Sequence, residues 1–218
     1  MPAANKKINW RRLAAWAGMI GPVLFVTTFI VEGWLRAEYN PLRMYVSELA
    51  LGPRGWIQSI NFILLGLMFL VYISGIAAEF RKRNRSQLGL VLLVIIGSSF
   101  LLSGFFTMDP VSTLSEQVTL HGRLHDLFGA LVFMLSPISC FVFLCYFRNN
   151  LKWQPLFQWT LMAAIVITVA VVAMSLGPTL PSEVSSIFYE WAGLIQRTAL
   201  ITYLAWHFTV AYWLIKYD

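Results

Sequence analysis

The chain has 218 residues, of which 58% are hydrophobic and 12% charged, with a mean hydropathy of +0.69. A soluble domain usually carries about a quarter charged residues, so a water-exposed globular domain is excluded and the chain belongs in lipid. The formal charge of +6 does not indicate nucleic acid, because the lysines and arginines cluster between apolar segments, as topology signals do.

Apolar runs of about 20 residues mark transmembrane helices. The first is predicted over 13–33, behind a basic N-terminal stretch of Lys6, Lys7, Arg11 and Arg12. No A-x-A-like site follows it, so it is not expected to be a cleaved signal peptide. The connection 34–56 is long and of mixed charge. Asn40-Pro41 and Gly52-Pro53 punctuate it as turns. Between them Leu42, Tyr45, Val46 and Leu49 recur at helical spacing, which predicts a short amphipathic helix lying at the membrane surface. Ser47 and Glu48 then sit on adjacent faces, with Arg43 about one turn before them.

The second and third spans are predicted over 57–78 and 88–106, joined by Arg81, Lys82, Arg83 and Arg85. Asp109-Pro110 follows as a helix-ending turn. The stretch LHGRLHDLFG, 120–129, then leads into a fourth span over 125–147. The fifth and sixth are predicted over 157–176 and 191–214, after a connection holding Arg148 and Lys152. Gly21-Pro22 and Ser136-Pro137 fall inside spans, where neighbouring helices tolerate a kink. Cys140 and Cys145, five apart, point to different sides of one helix and are not expected to pair.

The fold class is therefore all-α: a polytopic six-transmembrane-helix bundle, one domain over 1–218, with a short amphipathic outer-loop helix. The positive-inside rule places both termini in the cytoplasm of a multi-pass cell-membrane protein. Eight acids then fall on or near the other side: Glu32, Glu38, Glu48, Asp109, Glu116, Asp126, Glu183 and Glu190. The outer connections are longer and mixed in charge, which is where chemistry is expected.

Three segments together carry a resemblance. They are YVSELALGP (45–53), GFFTMDP (104–110) followed by LHGRLHD (120–126), and GLIQR (193–197). In order and spacing they resemble the prokaryotic six-span membrane family catalogued as domain of unknown function nine-nine-eight. The resemblance implies a six-helix membrane fold and no assigned activity. Its motif residues correspond here to Ser47, Glu48, Asp109, Pro110, His121, Gly122 and Arg197. Gln196 stands where an acidic residue is expected before the arginine.

His121 and His125 are four apart, so they share a helix face, as the paired histidines of zinc sites do. Two imidazoles do not complete a site; Asp109, Glu48 or Glu190 would have to supply another ligand. The alternatives are proton-handling histidines in a wet pocket, or a plain interfacial position. Asp126 points elsewhere and is expected to pair with Arg123. His207 lies ten residues past Arg197, about 15 Å along a helix, and is expected to be a hydrogen-bonded histidine between Tyr203 and Trp206. Arg197 lies inside the sixth span, where an arginine needs a partner; Asp109 or Glu48 is expected.

These residues suggest an outward-facing polar cavity, and three uses of it stay open. The first is binding of a lipid headgroup or small amphiphile, with Arg43 and Arg197 holding an anion. The second is a metal-dependent lipid hydrolase. There His121, His125 and Asp109 would hold zinc, Glu48 or Asp109 would act as base, and Ser47 would orient the substrate. The third and weakest is a proton-linked transporter. The implied partners are membrane lipids and the amphiphilic ligand, with self-association into a homo-oligomer left open and no nucleic acid.

Overall fold

In lipid every backbone polar group must be satisfied within its own segment, so each long apolar run becomes a helix. The computed structural model describes residues 9–81 and 87–217, the side chains of 80 and 81 excepted. It contains six helices long and apolar enough to cross a membrane. They are α1 (Trp10–Trp34), α2 (Gly55–Arg81), α3 (Leu88–Phe105), α4 (Leu120–Arg148), α5 (Phe157–Leu176) and α6 (Ser182–Lys216). All six predicted spans are present. α4 begins five residues and α6 nine residues before the apolar runs do, because their first turns project from the bundle as polar helix. Pro22 and Pro137 both lie inside continuous helices.

The helices form a closed ring. Each lies beside the ones before and after it, and α6 returns to pack on α1. Small residues set the closest approaches, as is usual where helices pack in lipid. A Cβ on Gly66 would overlap the backbone of Leu101, and one on Gly104 would meet Ser59 and Ile63, so α2 and α3 touch main chain to main chain.

At the end bearing the chain termini, Arg11 and Lys152 each reach the buried carboxylate of Glu79, at 3.0 Å. The expected topology signals Lys6, Lys7, Lys82, Arg83 and Arg85 lie outside the described residues. Above this end the ring is filled by aromatic side chains, among them Phe69, Tyr72, Phe143, Phe147, Tyr203 and Trp206. His207 is fully buried there. It packs between Tyr203 and Trp206, with ring centroids 4.5 Å away, and edge-on to Phe69 at 4.4 Å. The hydrogen bond expected of it is not made: among the described residues no conventional partner reaches either ring nitrogen. The spacing instead suits N–H contacts to aromatic faces. Cys140 is buried and Cys145 exposed on opposite sides of α4, both free.

The opposite end carries the three longer connections. The 35–54 segment is less helical than its spacing predicts. A turn at 41–43 is followed by a five-residue 3-10 helix, Val46–Ala50. Gly52, at φ +75°, then reverses the chain into α2. The segment lies as a strap across the ring, and its attachments define the site.

Candidate functional site

Three residues within one turn of α6 hold the strap. The Leu194 amide donates to the Leu42 carbonyl at 3.0 Å. The Val46 amide donates to Gln196 Oε1 at 2.8 Å. Arg197 Nη1 donates to the carbonyls of Pro41 and Met44, both at 2.7 Å, and to that of Gly193 at 3.0 Å. Its Nη2 donates to the Tyr39 hydroxyl. That hydroxyl in turn donates to the Tyr45 carbonyl at 2.8 Å. Gly193 is required beneath the strap, since a Cβ there would collide with the Met44 carbonyl.

The expected acid partner for Arg197 is therefore corrected. Among the described residues no carboxylate forms an ion pair with it. A buried guanidinium, 8% exposed, needs its donors satisfied, and carbonyl dipoles do this as well as a counter-charge does. The rings of Phe29 and Tyr39 flank it. Gln196, anomalous as a missing acid, is the acceptor that positions the 3-10 helix.

Glu48 closes the 3-10 helix on itself, its Oε1 accepting from the Tyr45 amide at 2.7 Å. Burial pushes its carboxyl above the usual range, partly offset by that amide and by the charge of Arg197. It faces a crevice shared with Arg36, Tyr39 and Arg54. Sequence reasoning missed this neighbourhood. Buried Glu32 is held by Arg54 at 2.6 and 3.1 Å. Arg36 secures the strap's far end through the Leu49 and Leu51 carbonyls, at 2.7 and 2.9 Å. Ionisable residues at the span end were the available signal.

Ser47, the residue before Glu48, points the other way. It lines a cavity of about 370 Å³ enclosed by the strap, the 108–118 connection and α2–α6. Asp109, His125 and Asp126 line the same space, together with Ser103 and Gln196. Asp109 sits on the N-terminus of α4. Its Oδ2 accepts from the Thr119 amide at 2.7 Å and its Oδ1 from the Thr119 hydroxyl at 3.0 Å. Thr119 Oγ1 itself caps the helix, accepting from the Gly122 amide at 3.1 Å. A carboxylate at a helix N-terminus is favourable by the helix dipole. Gly122 makes it possible, because a Cβ there would overlap the Asp109 carboxylate.

The two histidines separate. His125 is 6% exposed and turns inward. Its Nδ1 lies 2.7 Å from the carbonyl of Phe106, which ends α3. A carbonyl only accepts, so Nδ1 carries a proton; in the singly protonated ring Nε2 is then an acceptor. The bond also satisfies a carbonyl that the end of α3 leaves without a partner. His121, one turn earlier, is exposed and lies against the Phe106 ring, 5.4 Å between centroids. The expectation that both imidazoles face one point is corrected: at the first turn of α4 there is no wall for His121 to face. Among the described residues no three of His, Cys, Asp and Glu converge as a metal ligand set.

Two further expectations are redrawn. Arg43 is exposed and paired with Glu190 of α6, away from the cavity. Asp126 forms no ion pair with Arg123 among the described residues and instead borders the cavity. Among the described residues no lysine or arginine lines that space.

A family model described as "Protein of unknown function (DUF998)" matches residues 19–213. No curated protein matches the chain, and no solved structure does. The matched region takes in the strap, both loops that roof the cavity and all but the outermost turns of the ring, so this six-span chain belongs to the DUF998 family.

Proposed function

We propose that the cavity binds the headgroup of a lipid or small amphiphile whose tail leaves into the bilayer. One observation carries this reading: a single cavity is polar towards the loops and apolar at membrane depth. Ser47, Asp109, His125 and Gln196 stand at the loop end, and Phe62, Phe100, Val132 and Leu200 stand below. Its volume lies at the small end of ligand sites, so it holds a headgroup and the first methylenes, not a whole lipid. An exit lies between α4 and α5. Ala130 is exposed on its span yet lines the cavity, and an added Cβ on Gly129 meets nothing within 4 Å. Phe133 and Met174 complete that wall. By the distribution of basic residues, the strap end faces away from the cytoplasm.

The metal-dependent hydrolase has less support, because His121 and Glu48 lie off the cavity. A transporter would need a polar route through the aromatic half of the ring, where His207 is packed among aromatic rings.

The test uses a long-chain alkyl alcohol bearing a diazirine within its first few methylenes, with the purified protein in detergent. Photolabelling is expected to map to Phe133, Met174 and their neighbours, and to be lost in Gly129→Trp. Uniform labelling of the outward helix faces, unchanged in that variant, would overturn the proposal.

A further inference from the structure

Granted that the cavity takes an amphiphile, we infer that it selects a headgroup that donates hydrogen bonds and carries no net negative charge, with an ammonium its best complement. The charged groups that converge there are acids, and a buried imidazole lies beside them. His125 is the fixed point: its Nδ1 proton is committed to the Phe106 carbonyl, so in the singly protonated ring Nε2 is left at the cavity wall as an acceptor with, among the described residues, no protein donor. The residue is more than nine-tenths buried, which holds the ring in place at the cavity wall. A ligand hydroxyl or ammonium would supply the donor that Nε2 lacks.

Asp126 adds a carboxylate with no ion-pair partner among the described residues, and Asp109 adds a second negative charge on the same wall. The remaining polar groups are neutral: the hydroxyls of Ser47 and Ser103 serve either sign, and the amide nitrogen of Gln196 donates to a ligand oxygen. The cations that would hold a phosphate or carboxylate are committed elsewhere. Arg197 spends its donors on the strap, and Arg43 is paired with Glu190. The N-terminus of α4 would attract an anion, but Asp109 and Thr119 already occupy it. An anionic headgroup would therefore meet two carboxylates and a lone pair in a space partly removed from water, where like charge is most costly.

The experiment is competition against the diazirine alcohol at neutral pH by three ligands of one chain length: an alkyl amine, a monoacylglycerol and a fatty acid. The amine and the monoacylglycerol are expected to displace the probe at concentrations at least about tenfold below the fatty acid, a difference of about 1.4 kcal/mol. Asp126→Asn, at an exposed position, is expected to narrow the gap between amine and fatty acid by several-fold. A fatty acid that competes as well as the others, or better, overturns the inference and leaves the amphiphile site standing. Probe labelling that none of the three displaces, and that Gly129→Trp does not remove, means that the site itself fails.

Discussion

Replacing Arg197 by methionine keeps the length of the side chain and removes every donor it gives the strap. The carbonyls of Pro41 and Met44 each lose a bond of 2.7 Å, and the Tyr39 hydroxyl loses its guanidinium. The Gly193 carbonyl lies within α6, where the helix ladder still supplies a donor. Bonds to a charged donor contribute about 1.5–3 kcal/mol each, so the two carbonyls together account for roughly 3–6 kcal/mol of strap attachment. At about 1.4 kcal/mol per tenfold, that is on the order of a hundred- to ten-thousandfold more frequent opening of the strap. Hydrogen–deuterium exchange of the purified protein reads this directly. The amides of Met44, Val46 and Glu48, bonded to Asn40, Gln196 and Tyr45, are expected to exchange faster by at least a factor of about a hundred. Amides in the middle of α2 and α5 should keep their protection. Arg197→Lys should recover part of the loss, since an ammonium reaches a carbonyl pair but lacks the planar fork that also engages Tyr39. Unchanged exchange in the strap would refute the reasoning. Loss of protection through the whole ring would show that Arg197 secures the spans and not the strap.

Gly122→Ala should drive the Asp109 carboxylate off Thr119 and uncap α4, lowering stability by about 1–3 kcal/mol; a thermal melt matching the parent chain would contradict the close approach. Glu48 is held above its ordinary 4.5 by burial, so its protonated form is favoured in the fold. Its contribution is therefore fully present below pH 4.5 and is lost as pH rises through the raised value. Glu48→Gln keeps an acceptor for the Tyr45 amide, so melts across the acidic range should show a shallower decline with rising pH than the parent chain, and an identical slope would count against the burial argument. Orientation is tested by a cysteine at Ser112, expected to react with an impermeant thiol reagent applied to intact cells; reaction only after permeabilisation would reverse the topology.

The six spans were legible because lipid leaves a long apolar run little choice of structure. That constraint is local and needs no knowledge of neighbours. The same holds for the common end of the two termini, which an even number of crossings dictates. Partner choice was not legible. Arg197 required satisfaction at its depth, and the sequence said so, but a guanidinium accepts carbonyl oxygens or carboxylates alike. Only the packing of the strap on Gly193 decided for Pro41 and Met44. His121 and His125 share a helix face by spacing, yet one lies against a ring at the rim and the other caps the end of α3 inside it. Ser47 and Glu48, adjacent in sequence, open onto separate spaces because a tight 3-10 turn sends successive side chains to opposite sides of the strap. The charge of the cavity followed the same logic: sequence supplied the acids and the arginines, and tertiary contacts drew the arginines away to main-chain oxygens and Glu190, leaving the acids to line the wall.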